Sequence, residues 1–317
     1  MNKPLHSYNP ADEAILHDCT ICPRECHVDR FEGGHGYCGM DAGLNVASVC
    51  LHKGEEPVIG GKEGICNIFF GGCNIHCIYC QNHEISLPCN DAIFENDPLV
   101  VLDRIVRILA TGINSLGFVS PSHMVPQMLQ IIEGLHSRGI HPAIVYNTNG
   151  YDKAEIIRSL NGIVDVYLPD FKYVSPELSY ELSGARNYPS FALKALKEMY
   201  WQKGSSLITD DDGRAVNGML VRHLVLPGKA EESKNVLQVL AEELSTGIHL
   251  SLMSQYHPTQ GVRNHPVLSR SLYKTEYEEV AEYMHKLGFR NGWLQDMDSN
   301  RNYLPDFNRE HPFEDKE

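Results

Sequence analysis

Gly71-Gly72-Cys73-Asn74-Ile75-His76-Cys77-Ile78-Tyr79-Cys80-Gln81-Asn82 carries three thiols within eight residues. The run Asn67–Phe70 ahead of it reads as a strand, so the thiols fall in a loop at that strand's C-terminal end. The two glycines allow the backbone of such a loop to approach a small group closely. Thiolates are soft ligands, suited to iron–sulfur clusters or to zinc. A cluster of four irons held by three cysteines leaves one iron open to an exchangeable ligand. The competing readings are a zinc site completed by His76 or a distant residue, and free cysteines in a core.

Outward from this loop, short apolar runs alternate with longer amphipathic ones. The pattern predicts strands at 67–70, 116–119, 143–146, 163–168, 218–226, 250–253 and 292–294. It predicts helices over 98–110, 125–135, 153–160, 188–201, 231–244 and 274–287. The stretch 203–213 is polar and turn-like. Such alternation implies a parallel sheet with helical crossovers. A doubly wound sheet and a barrel both fit, and both place their sites at the C-terminal ends of strands. No GxGxxG or GxxxxGK follows the first strand, which weakens nucleotide-binding folds of those kinds.

The chain has 317 residues and a formal net charge of -14, from 27 basic and 41 acidic side chains. That balance argues against binding to nucleic acid or to anionic membrane, whose phosphates it repels on average. The longest apolar stretches run about five to seven residues, short of the roughly 18 that a spanning helix needs. Met1 to Asp18 lacks the apolar core of a secretory signal, so a cytoplasmic location is expected. All ten cysteines lie at or before position 89. In a reducing compartment they point to metal or iron–sulfur chemistry rather than to disulfides.

Residues 1–65 read as a cysteine-rich N-terminal segment, 66–300 as the alternating domain and 301–317 as a C-terminal tail. Within the first segment, Cys19, Cys22, Cys26 and Cys38 bring four thiols together in a stretch rich in glycine. A structural zinc, a second [4Fe–4S] cluster and four ordinary thiols are the open readings. Cys50, Cys66 and Cys89 default to free cysteines.

The spacing Cys73-xxx-Cys77-xx-Cys80, with Tyr79 before the last cysteine, resembles the signature of the radical S-adenosylmethionine superfamily. The stretch 67–295 is similar to the branch of pyruvate formate-lyase activating enzyme and its uncharacterised relatives. The resemblance implies an α/β fold, a partial (β/α)6 barrel of the radical S-adenosylmethionine type with a small cysteine-rich N-terminal appendage. It implies a [4Fe–4S] cluster on Cys73, Cys77 and Cys80, whose remaining iron binds the amino and carboxylate groups of S-adenosylmethionine. Reductive cleavage then yields a 5′-deoxyadenosyl radical that abstracts hydrogen from a substrate. The implied enzyme is an oxidoreductase that resembles the activating enzymes. Its implied partners are an electron donor such as flavodoxin or ferredoxin and a protein or peptide substrate, for instance a glycyl-radical enzyme. The alternatives are the same chemistry on a small molecule, and a non-catalytic iron–sulfur electron-transfer or scaffold protein.

Tyr79 and several strand-end residues become cofactor-binding candidates through the same resemblance. Ser120-Pro121-Ser122-His123 stands where the family usually has Gly-Gly-Glu-Pro; a hydroxyl, a carbonyl or His123 replaces that contact, or the serines merely cap the next helix. Asn147-Thr148-Asn149-Gly150 resembles the family's Thr-Asn-Gly stretch, which makes Asn147 and Asn149 candidates beside a plain turn reading. Asp170 and Lys172 resemble an Asp-x-Lys pair near the cofactor, or they simply pair with each other or with solvent. Arg222 to Gly228 is similar to an Arg-x-x-Val-x-Pro-Gly strand, and an arginine in an apolar strand needs an anion or a polar channel. Ser251, Ser254, Gln255 and Tyr256 read as facing either the substrate or the surface.

Overall fold

Residues 8–87, 94–297, 305–307, 309 and 312–313 are described by a computed structural model. The strands are β1 (Val46–His52), β2 (Ile65–Phe70), β3 (Ser115–Val119), β4 (Ala143–Thr148), β5 (Val166–Pro169), β6 (Ile208–Thr209), β7 (Ala215–Leu224), β8 (His249–Met253) and β9 (Asn291–Leu294). Their order in the sheet is β1-β2-β3-β4-β5-β7-β8-β9, with β6 paired to β7 alone. The strands β2, β3, β4, β5, β7, β8 and β9 run parallel to one another, while β1 and β6 pair antiparallel with β2 and β7. Among the described residues β1 and β9 are the two ends and do not pair, so the barrel stays open.

Every residue of β2 is buried, as a strand covered on both faces requires. Helices supply the cover. The one spanning Pro98–Leu109 shows how the sequence sets it. Asp97 accepts a hydrogen bond from the Leu99 N–H at 2.8 Å, and Pro98 stands where no N–H is needed. Val101, Leu102 and Ile105 share its buried face, while Leu99, also apolar, is exposed. Each fully buried aliphatic side chain there contributes roughly 1.5–3 kcal/mol. Among the described residues no helix is long and apolar enough to cross a membrane.

The strand predicted at 163–168 starts at Val166, because the preceding turn is still closed by the Ile163 and Val164 N–H groups on the Leu160 carbonyl. The strand predicted at 218–226 starts at Ala215 and ends at Leu224. β1 was not predicted; its burial lacks the clean alternation that marks a half-buried strand. It pairs antiparallel with β2, so part of the cysteine-rich segment belongs to the main sheet. A further helix at Pro176–Ser183 is capped by Ser175, opened by Pro176 and closed by left-handed Gly184. Those start and stop signals are legible in the sequence. Residues 18–45 form no helix or strand and pack beside the loop of Cys73.

Candidate active site

The parallel strands all end on one side, and a cavity of about 400 Å³ opens there and reaches into the barrel. Cys73, Cys77 and Cys80 line it together. Gly72 makes their loop possible: its φ of +69° is left-handed, and a Cβ would fall 2.2 Å from the Cys38 carbonyl oxygen. The loop is pinned by Ile78 N–H on Leu182 O at 2.9 Å and by Cys80 N–H on Cys77 O at 3.1 Å.

Each sulfur has a hydrogen-bonding neighbour. Asn149 Nδ2 donates to Cys73 Sγ at 3.4 Å, Ser183 Oγ lies 3.0 Å from Cys77 Sγ, and Ser86 Oγ lies 3.3 Å from Cys80 Sγ. The N–H groups of Ile75 and Asn82 also reach Cys73 and Cys80. Burial pushes all three thiols up, Cys80 to about 11. Burial outweighs the nearby Lys172 charge at Cys77 and Cys80, and a bound metal would take the place of the thiol protons. Donors at every sulfur suit thiolate ligands, so the donor chemistry of this triad fits three-cysteine ligation of a cluster, while among the described residues no group of three such side chains stands drawn in to ligand spacing.

Strand ends supply the opposite wall. Arg222, on β7, points inward and is mostly buried. Its Nε donates to Asp170 Oδ1 at 2.9 Å, Nη2 to Asn147 Oδ1 at 2.6 Å, and Nη1 to Glu55 Oε2 at 3.4 Å. Lys172 Nζ holds the other Asp170 oxygen at 2.5 Å. Burial pushes the Asp170 carboxyl up, but Arg222 and Lys172 outweigh it and hold it below the usual range. The same contacts hold Arg222 and Lys172 charged against burial. Asn149, whose amide also donates to Asn74 Oδ1 at 2.8 Å, ties β4 to the cysteine loop.

Of the candidate residues, Tyr79, Ser120, Asn147, Asn149, Asp170, Lys172 and Arg222 line the cavity together with the three cysteines. Ser251 and Gln255 line it too. The Tyr79 hydroxyl bonds the Tyr173 hydroxyl. Ser122 and His123 lie outside the lining. Ser122 Oγ sits 2.9 Å from Thr148 Oγ1, and His123 Nε2 donates to the Gly71 carbonyl at 2.8 Å. Burial lowers His123 to about 4, so it serves as a neutral strut beneath the loop. Ser254 bonds the carbonyls of Gln295 and Asp296, and Tyr256 is buried with its hydroxyl on Leu268 O. His76 stacks on Tyr37 with ring centroids 4.2 Å apart and is not part of the lining.

Glu55 and Glu56 were missed by the sequence reading. Both line the cavity, Glu55 accepting from Asn67 at 3.0 Å, and the Glu56 carboxyl is raised by burial. The available signal was two adjacent acids between Gly54 and Pro57, in a stretch otherwise poor in pattern. Cys19, Cys22, Cys26 and Cys38 border a separate gap of about 10 Å³. Cys50 packs on Phe69 and Ile85, Cys66 is buried within β2, and Cys89 lies outside the described residues.

No protein-family model matches the chain. It is 27% identical over 277 residues to the uncharacterized protein MJ0674 of Methanocaldococcus jannaschii, covering 86% of this chain and 75% of that one. It is 26% identical over 157 residues to MJ0808 of the same organism, covering 45% of this chain and 46% of that one. Among solved structures it is similar to HydG, a maturase of the [FeFe]-hydrogenase, with a TM-score of 0.50 and 11% identity. The match covers 75% of this chain and 53% of HydG. The fold is the partial barrel of the radical S-adenosylmethionine type. SuiB of Streptococcus suis, solved bound to S-adenosylmethionine, is also similar at a TM-score of 0.47 and 14% identity, over 71% of this chain and 48% of SuiB. The chain thus spans about half the length of those two solved chains.

Proposed function

We propose that this protein is a radical S-adenosylmethionine enzyme. The observation that carries the reading is the meeting of three hydrogen-bonded thiols and a charged strand-end wall in one cavity. Cys73, Cys77 and Cys80 would hold a [4Fe–4S] cluster. A cluster of that kind, with S-adenosylmethionine bound, supplies a 5′-deoxyadenosyl radical. The volume of about 400 Å³ lies within the range of small-molecule pockets.

The chain's own residues then have definite tasks. Asn149 and the N–H groups of Ile75 and Asn82 orient the sulfurs and offset their charge. Asp170 is kept ionised by Arg222 and Lys172, which suits it to accept hydrogen bonds from an amine or hydroxyl. Lys172 offers a cation beside the cysteine loop, toward a carboxylate. Asn147 is held by Arg222 and Glu55, so its orientation is set before any ligand arrives.

The substrate in this reading is a protein or peptide segment, a glycyl-radical enzyme being one case, and electrons come from a flavodoxin- or ferredoxin-like donor. Trp293 and exposed Leu294, on the last strand of the open barrel, border the cavity and give such a segment an apolar contact. The test is anaerobic. Reduced, iron-loaded protein with S-adenosylmethionine should release 5′-deoxyadenosine, and a C73A/C77A/C80A protein should release none. Equal release from both would overturn the reading. Transfer of label from a candidate peptide into 5′-deoxyadenosine separates a peptide substrate from a small molecule.

A further inference from the structure

Four cysteines outside the cavity remain to be explained. Cys19, Cys22 and Cys38 are buried, Cys26 is half-buried, and all four border the same gap of about 10 Å³. Loops alone bring them there. Cys19 is held by its N–H on Val28 O and by His27 N–H on Cys19 O, each at 3.1 Å. Glu25 and His27 flank Cys26 with φ of 43° and 52°, a left-handed backbone that non-glycine residues adopt only when their surroundings impose it.

Three of the four sulfurs accept backbone N–H groups. Tyr37 N–H donates to Cys26 Sγ at 3.3 Å. Arg24 N–H serves Cys22 and Met40 N–H serves Cys38, each two residues beyond the cysteine that it serves. A thiolate accepts such N–H groups more strongly than a neutral thiol does, so the geometry suits sulfur that a metal ion has deprotonated. Arg30 adds its positive charge close to Cys38. The thiols stand around the gap rather than drawn in to ligand spacing. About 10–15 Å³ is the room that one water takes on this measure, so the gap suits one small ion better than a four-iron core.

We propose that Cys19, Cys22, Cys26 and Cys38 form a second thiolate metal centre with a complete protein shell, and that a single zinc-type ion is the occupant that the gap fits. Four thiolates satisfy a tetrahedral ion and leave no position open for substrate. The centre acts as a clamp on the catalytic loop. Between two of its ligands, Arg24 donates through Nε to Asn74 O and through Nη1 to Gly184 O, both at 2.8 Å. The Arg24 guanidinium lies 3.6 Å from the Tyr37 ring centre, and Tyr37 in turn stacks on His76. Cys38 O is the atom that leaves Gly72 no room for a side chain. Asn74 and His76 lie between Cys73 and Cys77, so ordering the four thiolates fixes the segment that carries the other cluster.

The test uses full-length C73A/C77A/C80A protein, which keeps all four N-terminal cysteines and lacks the ligands of the first site. Its result therefore stands apart from whether the chain cleaves S-adenosylmethionine. Elemental analysis after anaerobic purification should find about one zinc per chain, and the four thiols should react with a thiol reagent only after a chelator is added. About four irons with matching sulfide would overturn the single-ion occupant while upholding the four-cysteine site. A folded, metal-free protein with four freely reactive thiols would overturn the proposal. The clamp has its own readout in otherwise native protein. C22S/C38S should lose the zinc, keep circular dichroism of the barrel, and show an altered electron paramagnetic resonance signal from the cluster on Cys73, Cys77 and Cys80. An unchanged signal in zinc-free protein would remove the clamp. If C22S/C38S fails to fold, limited proteolysis of native protein with and without chelator decides instead: cleavage within 19–40 only after chelation supports the clamp, and equal cleavage refutes it.

Discussion

Replacing Arg222 by alanine should destabilise the fold as well as weaken any ligand. The guanidinium is the shared partner of Asp170 at 2.9 Å, Asn147 at 2.6 Å and Glu55 at 3.4 Å, in the barrel interior. Removing one side of a buried ion pair costs about 3–5 kcal/mol, because the remaining charge stays buried without compensation. Two features pull the value toward the lower end. Asp170 keeps Lys172 at 2.5 Å, and Glu55 keeps the Asn67 amide at 3.0 Å and the Asn147 amide at 3.3 Å. We therefore expect a loss of about 3 kcal/mol at pH 7.5, read as a lower urea midpoint with an unchanged slope. The pH dependence carries a second signature. In the native protein Asp170 is held low, so its contribution is complete above the ordinary carboxylate range and fades as pH falls through its folded value. Without Arg222, Lys172 alone opposes burial, so that carboxyl rises from its native position, and protonation on acidification relieves part of the cost. The cost of Arg222→Ala should thus shrink between pH 7.5 and 5. A loss below about 1 kcal/mol with no change in pH dependence would refute the assignment of Arg222 as the counter-ion of the interior.

Gly72→Ala should cost roughly 2–4 kcal/mol and lower the iron content, because the new Cβ meets Cys38 O at 2.2 Å on a left-handed backbone; a wild-type urea midpoint would show that the two loops are not in contact. His223 is buried between Phe171 O and Ser233 Oγ and is pushed down to about 4 by burial, so it folds neutral. Its contribution is complete above about pH 6.5 and is lost as pH falls toward 4, by up to about 3 kcal/mol. Comparing urea midpoints of native and His223→Gln protein from pH 7 to 4.5 checks this: the native curve should fall more steeply, and parallel curves would contradict it.

The cysteine loop, the parallel character of the sheet and most helices were legible because each rests on patterns local in the chain, whereas the same alternation fits a doubly wound sheet and a barrel alike. Cys73, Cys77 and Cys80 occupy one loop whose spacing alone brings the thiols together. The helix at Pro98–Leu109 announces itself through its cap, its proline and its apolar period. β1 was illegible, since it lies in the cysteine-rich segment and lacks alternation. Ser122 and His123 show the limit of local analogy. They follow β3 at the expected place, but the left-handed turn at Ser120, with φ of 50°, opens a short turn of 3-10 helix in which both are buried outside the cavity.

The sequence by itself determined that three thiols share one loop after a strand and that strands alternate with helices, because periodicity and cysteine spacing are properties of a single stretch of chain. Only the tertiary structure decided the partners. Glu55 meets Arg222 across 167 positions, Ser183 meets Cys77 across 106, and Arg24 meets Gly184 across 160. Such pairs are chosen by how the strands and loops close around one cavity, and no local pattern encodes that closure. The same holds for the four N-terminal thiols. Their spacing names them as candidates, but the N–H groups aimed at their sulfurs and the contact with the neighbouring loop exist only once the chain has folded.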